Sequence, residues 1–250
     1  MKPSHFLACA AAVVAIAACN SKQGDAATNT PVKLEQVKPP AGGDWTQVVN
    51  PTPEGGFVMG NPNAKVKLVE FGSMTCPHCR EFDEKGADKL VGTYVKSGQV
   101  SWEFRNYVRD ALDLTASLVA RCNGAKTFFP MTRALYKDQV SWFERVQSAP
   151  QQQVEALQSL PPNQQFVETA KLAGFPSWAA ARGVPEAKTA QCLADENAVN
   201  QLVQMNSDAT TNFPDFQGTP GFVINGKLIK DTATWDKLEP ALRSALGERG

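Results

Sequence analysis

Cys76-Pro77-His78-Cys79 stands at the junction of two different hydrophobic patterns. Before it, Val66 to Phe71 reads as a mostly buried strand, bounded by Asn61-Pro62-Asn63 on one side and Gly72-Ser73 on the other. After it, Cys79 to about Lys96 has helical spacing, with Phe82, Leu90, Val91 and Tyr94 as inward positions and Ser97-Gly98 as the stop. Two cysteines separated by two residues can close a small ring with little backbone movement. Where a strand gives way to a helix, the first of them meets the helix's unpaired N–H groups and the positive end of its dipole, which favour a thiolate. Pro77 suits the first turn of that helix. His78 adds a donor, or a positive charge, between the two sulfurs. A stabilised reduced form makes the disulfide a stronger oxidant, and a low thiol pKa makes Cys76 a good leaving group. The chemistry therefore leans toward disulfide donation.

The surroundings set a topology. Val100 to Val108 is a second strand, with Val100, Trp102, Phe104 and Asn106 alternating against Ser101, Glu103 and Arg105. Strand, helix and strand in so short a span form a βαβ unit, with parallel strands and a right-handed crossover. From about residue 111 to about 212 the chain is rich in Ala, Leu, Gln, Lys and Glu, and it is interrupted at Pro130, Pro150, Pro161-Pro162, Pro176 and Pro185. That pattern predicts several short helices. Gly221 to Asn225 is then a short buried strand, Asn225-Gly226 a hairpin turn, and Lys227 to Lys230 the returning strand. Thr234 to Leu246 is a last amphipathic helix, capped by Thr232 or Thr234. The βαβ start and the ββα end are expected to share one sheet.

The N-terminus reads as a targeting segment over residues 1–18. After Lys2, the run from Phe6 to Ala18 carries no charge, and it falls short of the ~20 residues needed to span a bilayer. Its end, Ile16-Ala17-Ala18-Cys19, looks like the lipobox of bacterial lipoproteins, with Cys19 as the lipidated residue; cleavage after Ala15-Ile16-Ala17 is the ordinary alternative. Under the lipoprotein reading, Asn20 favours the outer membrane of a Gram-negative cell. Residues 19–50 are polar and contain Lys38-Pro39-Pro40-Ala41-Gly42-Gly43, so they read as a flexible, lipid-attached tether. The folded domain is expected over residues 51–250.

Composition acts mainly by exclusion. With 42% hydrophobic residues the chain can bury a core, so it is not a disordered tail. Twenty-five basic residues balance 25 acidic ones, so no broad field points to nucleic acid. Once the signal is removed, Cys76, Cys79, Cys122 and Cys192 remain besides Cys19, and His78 is the only histidine. A zinc site would need Cys122 and Cys192 to complete the first pair, because no second C-x-x-C exists. The strand–helix context and an exported, oxidising compartment favour redox chemistry instead, with no metal and no cofactor beyond the Cys76-Cys79 disulfide.

Val69-Glu70-Phe71-Gly72-Ser73-Met74-Thr75-Cys76-Pro77-His78-Cys79 resembles the active-site segment of the DsbA family of thioredoxin-fold disulfide oxidoreductases. Gly218-Thr219-Pro220 before a short strand is similar to that family's cis-proline loop, and the resemblance extends over about residues 50 to 248. It implies an α/β thioredoxin-like fold with a helical insertion between the βαβ and ββα halves. It implies that Glu70 is a buried acid beneath the disulfide that moves protons for Cys79. It also implies that Pro220 is cis and faces Cys76, with the Thr219 backbone pairing to a bound substrate strand. Thr219 replaces the valine of the best-known oxidases and occurs in isomerase-type relatives. Cys122 and Cys192 are expected to form a structural disulfide tying the start of the insertion to its end. Phe128, Phe129, Trp142, Phe143 and Trp178 are core by default, some of them available to a peptide groove.

The leading functional expectation is a periplasmic, lipid-anchored monomer that oxidises unfolded or reduced exported proteins and is itself reoxidised by a quinone-linked membrane partner. A disulfide isomerase or reductase on the same fold is the second reading, and a lipid-anchored peptide-binding protein without catalysis is the third.

Overall fold

The computed structural model describes Met1, residues 34–39 and residues 43–248. Apart from Met1, the expected export signal, the lipidation site Cys19 and most of the tether lie outside the described residues. No helix among the described residues is long and apolar enough to cross a membrane.

The elements run β1 (Val49–Pro51), β2 (Phe57–Gly60), β3 (Val66–Gly72), α1 (Pro77–Phe82), β4 (Val100–Asn106), α2 (Ala111–Arg121), α3 (Ala125–Lys137), α4 (Gln139–Gln147), α5 (Gln151–Gln158), α6 (Pro162–Ala173), α7 (Phe175–Ala180), α8 (Glu186–Leu193), α9 (Glu196–Asn212), β5 (Gly221–Ile224), β6 (Lys227–Ile229) and α10 (Trp235–Leu246). One six-stranded sheet has the order β1-β2-β4-β3-β5-β6. β3 and β4 are parallel, with Glu70 opposite Phe104, while β5 pairs antiparallel to β3 with Glu70 opposite Phe222. The βαβ and ββα halves thus share a sheet, with the helical insertion between them, as an α/β thioredoxin-like fold requires.

Alternation along β3 assigns its side chains to two faces. Leu68, Glu70 and Gly72 share one face and Val69 and Phe71 the other. The Phe82 ring of α1 lies tilted, with its centroid 4.7 Å from that of Phe222 of β5 and 6.5 Å from that of Trp235 of α10, which places α1 and α10 on the Glu70 face. α3 covers the same face over β4, through Phe129 against Trp102 at 4.8 Å and Phe128 against Phe104 at 5.5 Å. Both phenylalanines are at most 1% exposed, and each contributes about 1.5–3 kcal/mol by leaving water. On the opposite face Phe71 and Val223 pack with Ala209 of α9, joined by Phe213 and Phe216.

Several local expectations are corrected. The domain begins before residue 51: Trp45 is buried and its indole donates to the Val37 carbonyl at 2.9 Å, and β1 starts at Val49. These residues sit near Pro and Gly, which hid Trp45 and the start of the edge strand β1 inside the expected tether. The helix after Cys79 is not uniform; α1 continues through two π-helical turns, Asp83–Ala87 and Leu90–Val95. Ser101 and Glu103 are buried along with their apolar neighbours, because β4 lies between β2 and β3 and is covered on both faces. Glu103 is satisfied there by Arg105 in a two-point pair (2.7 and 2.9 Å) and by the Thr52 hydroxyl (2.7 Å). α3 runs through Pro130 instead of ending there, while Pro150, Pro161 and Pro185 each stand at a helix N-cap. Thr234 is the N-cap of α10, one of the two expected, but it caps by its extended backbone and makes no side-chain cap bond, while the Thr232 hydroxyl donates to the Lys230 carbonyl.

Candidate active site

The chain leaves β3 at Gly72, crosses Ser73-Met74-Thr75 and enters α1 with Cys76 as N-cap, in an extended conformation (φ −81°, ψ 121°). Pro77 occupies the first turn, where its missing N–H removes no helical bond. The backbone N–H groups of His78 and Cys79 are left facing the Cys76 sulfur. Cys76 and Cys79 are both unbonded thiols and both buried, at 2% and 0% exposure.

Two side chains from the helical insertion hold this turn. Asp113, fully buried in the first turn of α2, accepts from Ser73 Oγ (2.5 Å), Met74 N (2.8 Å) and Arg109 N (3.0 Å). Burial pushes its carboxyl up to about 6 against those hydrogen bonds. Gln139 of α4 donates to the carbonyls of Met74 (2.7 Å) and Cys76 (3.0 Å). Sequence reasoning missed both. Asp110-Ala-Leu-Asp113 does carry a cap signal for α2, whose N-cap Asp110 accepts from Asp113 N, but it says nothing of the loop Asp113 would reach. Gln139 carries no local signal at all.

The two thiols are driven in opposite directions. Cys76 is lowered from the ordinary thiol value to about 5. The Cys79 thiol contributes most, against the cost of burial, followed by the Thr219 hydroxyl and the Cys79 and His78 backbone N–H groups. Cys79 is pushed well up, by burial first and then by the Cys76 and Glu70 charges. One backbone donor reaches it, Ser73 N at 3.5 Å.

Glu70 is 1% exposed and accepts a 3.0 Å hydrogen bond from Trp102 Nε1. Burial, then the charges of Asp83 and Cys76, raise its carboxyl well above the usual range despite that bond. The Thr219–Pro220 peptide is cis, and the Thr219 carbonyl accepts from Cys76 Sγ at 3.2 Å. The Thr219 hydroxyl is buried, with no hydrogen-bond partner among the described residues in this thiol form. Cys76, Cys79, Glu70, Thr219 and Pro220 therefore converge from three segments: the end of β3, the start of α1 and the cis-proline loop before β5.

His78 departs from expectation. Its imidazole is 68% exposed and turned to Glu81, with Nδ1 3.7 Å from Oε2. It is the His78 backbone N–H, not the ring, that acts on the Cys76 sulfur. Cys122, at the end of α2, and Cys192 of α8 are bonded to each other (2.06 Å) across 70 residues, away from the reactive pair. Neither is then a thiolate ligand for a metal at Cys76-Cys79. Among the described residues no group of three or more His, Cys, Asp or Glu is placed to hold a metal. Of the aromatic candidates, Phe128, Phe129 and Trp142 are core, whereas Phe143 and Trp178 are partly exposed.

Comparison with known proteins agrees with this arrangement. The thioredoxin family model matches residues 52–244. The crystal structure of a protein-disulfide isomerase from Novosphingobium aromaticivorans is 31% identical, with a TM-score of 0.72 over 76% of this chain and 97% of that one. A Rickettsia bellii protein named as a protein-disulfide oxidoreductase is 27% identical over 79% of this chain; the chain spans 67% of that relative's length and 61% of its Rickettsia felis counterpart. Disulfide bond formation protein D of Bacillus subtilis is 24% identical over 78% of this chain and 79% of its own length. On that family match and the Novosphingobium likeness, this chain belongs to the thioredoxin family, as a DsbA-like thiol-disulfide oxidoreductase.

Proposed function

We propose that the protein is an exported dithiol oxidase that introduces disulfides into reduced or unfolded exported proteins. The observation that carries this reading is the opposed behaviour of the two thiols, with Cys76 near 5 and Cys79 far above it. A reduced form whose outer sulfur is a stabilised thiolate gives up its electrons reluctantly, so the oxidised form is a strong oxidant. A substrate thiolate attacks the Cys76 sulfur, the Cys76–Cys79 bond breaks with its electron pair going to Cys79, and Glu70 supplies the proton that Cys79 takes up. A second substrate thiolate then attacks the substrate sulfur of the mixed disulfide and expels Cys76 as a thiolate. The Thr219 backbone beside the cis bond pairs with the bound substrate strand.

The resemblance extends the proposal to a quinone-linked membrane partner that reoxidises the pair. Export by the 1–18 signal, lipid attachment at Cys19 and retention at the periplasmic face of the outer membrane as a monomer complete it. No cofactor beyond the cysteine pair enters this scheme.

The second reading, a disulfide isomerase, is favoured by the name of the Novosphingobium protein and by Thr219. Equilibration of the Cys76-Cys79 pair with glutathione separates the two directions. A potential above about −180 mV, with faster action on a reduced than on a scrambled test protein, supports the oxidase; a value near about −270 mV overturns it.

A further inference from the structure

Tyr136 is 1% exposed on α3, and its hydroxyl has no hydrogen-bond partner among the described residues. A buried phenol usually has a partner, so this one calls for a reason. Its position supplies one. A Cβ built on Gly72 would lie 3.1 Å from Tyr136 Oη, and the rest of that space is taken by the Phe104 ring. The hydroxyl therefore rests over the bare Cα of Gly72, on the β3 face that also carries Glu70. The next residue, Ser73, sends its N–H to Cys79 Sγ. The phenol thus comes, from the helical insertion, against the end of β3 beside the reactive turn, near enough for the Cys79 and Glu70 charges to act on it.

Cys79 needs a donor there during exchange. It is a sulfur of the disulfide before the attack and a neutral thiol afterwards, and it carries negative charge only while the Cys76–Cys79 bond is breaking. It is 0% exposed, and among the described residues the one N–H that reaches it does so at 3.5 Å. We propose that the Tyr136 hydroxyl donates a hydrogen bond to the Cys79 sulfur as that bond breaks, making Tyr136 a further catalytic residue of the exchange reaction. The step balances without using the phenol proton. The incoming thiolate forms a bond to Cys76 Sγ, the electron pair of the old bond goes to Cys79 Sγ, and Glu70 then transfers its proton to that sulfur. Tyr136 keeps its own proton, because burial and then the charges of Cys79 and Glu70 hold the phenol well above its usual pKa. The other titratable groups facing this space are Cys76 at the start of α1, Asp83 after its end and Asp113 of α2.

The inference rests on Cys76-Cys79 as the exchanging pair, and its test is independent of which protein is the substrate. The oxidised protein is reduced by a small monothiol in single turnover, and the reverse reaction is started from the mixed disulfide. Because the donor acts on a charge absent from both end states, Tyr136→Phe should slow both directions by about tenfold or more and leave the equilibrium constant unchanged. A merely structural role predicts a shifted equilibrium or stability without matched losses in both rates, and that result overturns the proposal, as does an unchanged rate. Site-specific 3-fluorotyrosine at 136 is the second variant: it keeps the shape and donates more strongly. It should raise the rate if the hydroxyl donates, and an unchanged or lower rate counts against the proposal. Should Tyr136→Phe fail to fold, the fluorotyrosine rate alone decides: a rise supports the donor, and an unchanged or lower rate overturns it. If Cys76→Ser retained full exchange activity, the reading of the reactive pair would fail, separately from the role of Tyr136.

Discussion

Cys76 and Thr219 meet across the site: Cys76 Sγ donates to the Thr219 carbonyl at 3.2 Å, immediately before the cis bond to Pro220. That carbonyl accepts from a thiol but cannot donate to a thiolate. The neighbouring Thr219 hydroxyl can; it is buried, has no other partner among the described residues, and follows the Cys79 thiol among the groups that lower Cys76. Thr219→Val keeps the shape and the backbone and removes only that donor. We expect the Cys76 thiol to rise from about 5 by roughly one unit, and the pair to become less oxidising. The thiolate absorbance of the reduced variant, followed from pH 3 to 8, checks this; an unmoved midpoint would remove Thr219 from the account.

The depressed Cys76 thiol ties the stability of the reduced protein to pH. An unfolded thiol titrates near about 8.5 and the folded one near about 5, so between those values the unfolded chain holds more protons. The thiolate's contribution is therefore fully present above about 8.5 and is lost as the pH falls through about 5. Its slope is at most about 1.4 kcal/mol per pH unit, and smaller to the extent that solvent reaches the sulfur. Urea unfolding of the selectively reduced protein should diverge from that of reduced Cys76→Ser as the pH is raised from 5 to 8. Parallel curves would mean that the thiolate is not stabilised by the fold.

Glu70 acts with the opposite sign. Its folded carboxyl titrates above the unfolded one, so folding takes up a proton in the window above about 4.3. Nothing is lost below that pH, and stability falls as the pH rises toward the folded pKa, by up to about 1.4 kcal/mol per unit. Glu70→Gln should be more stable than the parent at neutral pH, with the difference closing by pH 4. It should also slow proton delivery to Cys79, so that exchange becomes slower while the fold becomes stronger. A variant that lost stability at pH 7 would instead assign Glu70 a structural role through Trp102.

What could be read from the sequence follows the range of the interactions. The strand, the C-x-x-C turn and the start of the helix are set by neighbours within a few residues, so β3 and α1 were legible, as was the Asn225-Gly226 hairpin, whose two residues take φ 49° and 81°. The helical insertion was legible as composition but not in its course, since the sequence cannot show that α3 tolerates Pro130. Trp45, β1 and β2 were not legible, because runs of three or four residues among Pro51, Pro53, Gly55 and Gly56 look like punctuation until a sheet edge receives them. Asp113, Gln139 and Tyr136 lay beyond reach for a different reason. Each acts on the site over 39 to 65 positions of chain, or against the bare Cα of Gly72, and only the packed helices bring them there. His78 shows the converse: a residue in the right slot, whose ring the local Glu81 draws away.

Asp113 offers the sharpest test of that long-range support. Its two oxygens take three donors, two of them backbone N–H groups on different segments: Met74 N on Oδ1 and Arg109 N on Oδ2. An asparagine has one acceptor oxygen. Whichever way its amide is turned, an NH2 group must face one of those N–H donors, while Ser73 can adapt by rotating its hydroxyl. Asp113→Asn should therefore cost about 1–3 kcal/mol, the cost of leaving a buried donor unpaired. The loss falls on the loop that sets the Cys76 N-cap, so the Cys76 pKa should rise with it. Asp113→Ala, which leaves all three donors unpaired, should cost more on both measures. Denaturant unfolding and thiolate absorbance on the same samples decide the matter. If stability falls while the Cys76 titration stays in place, Asp113 supports the domain but does not shape the reactive turn.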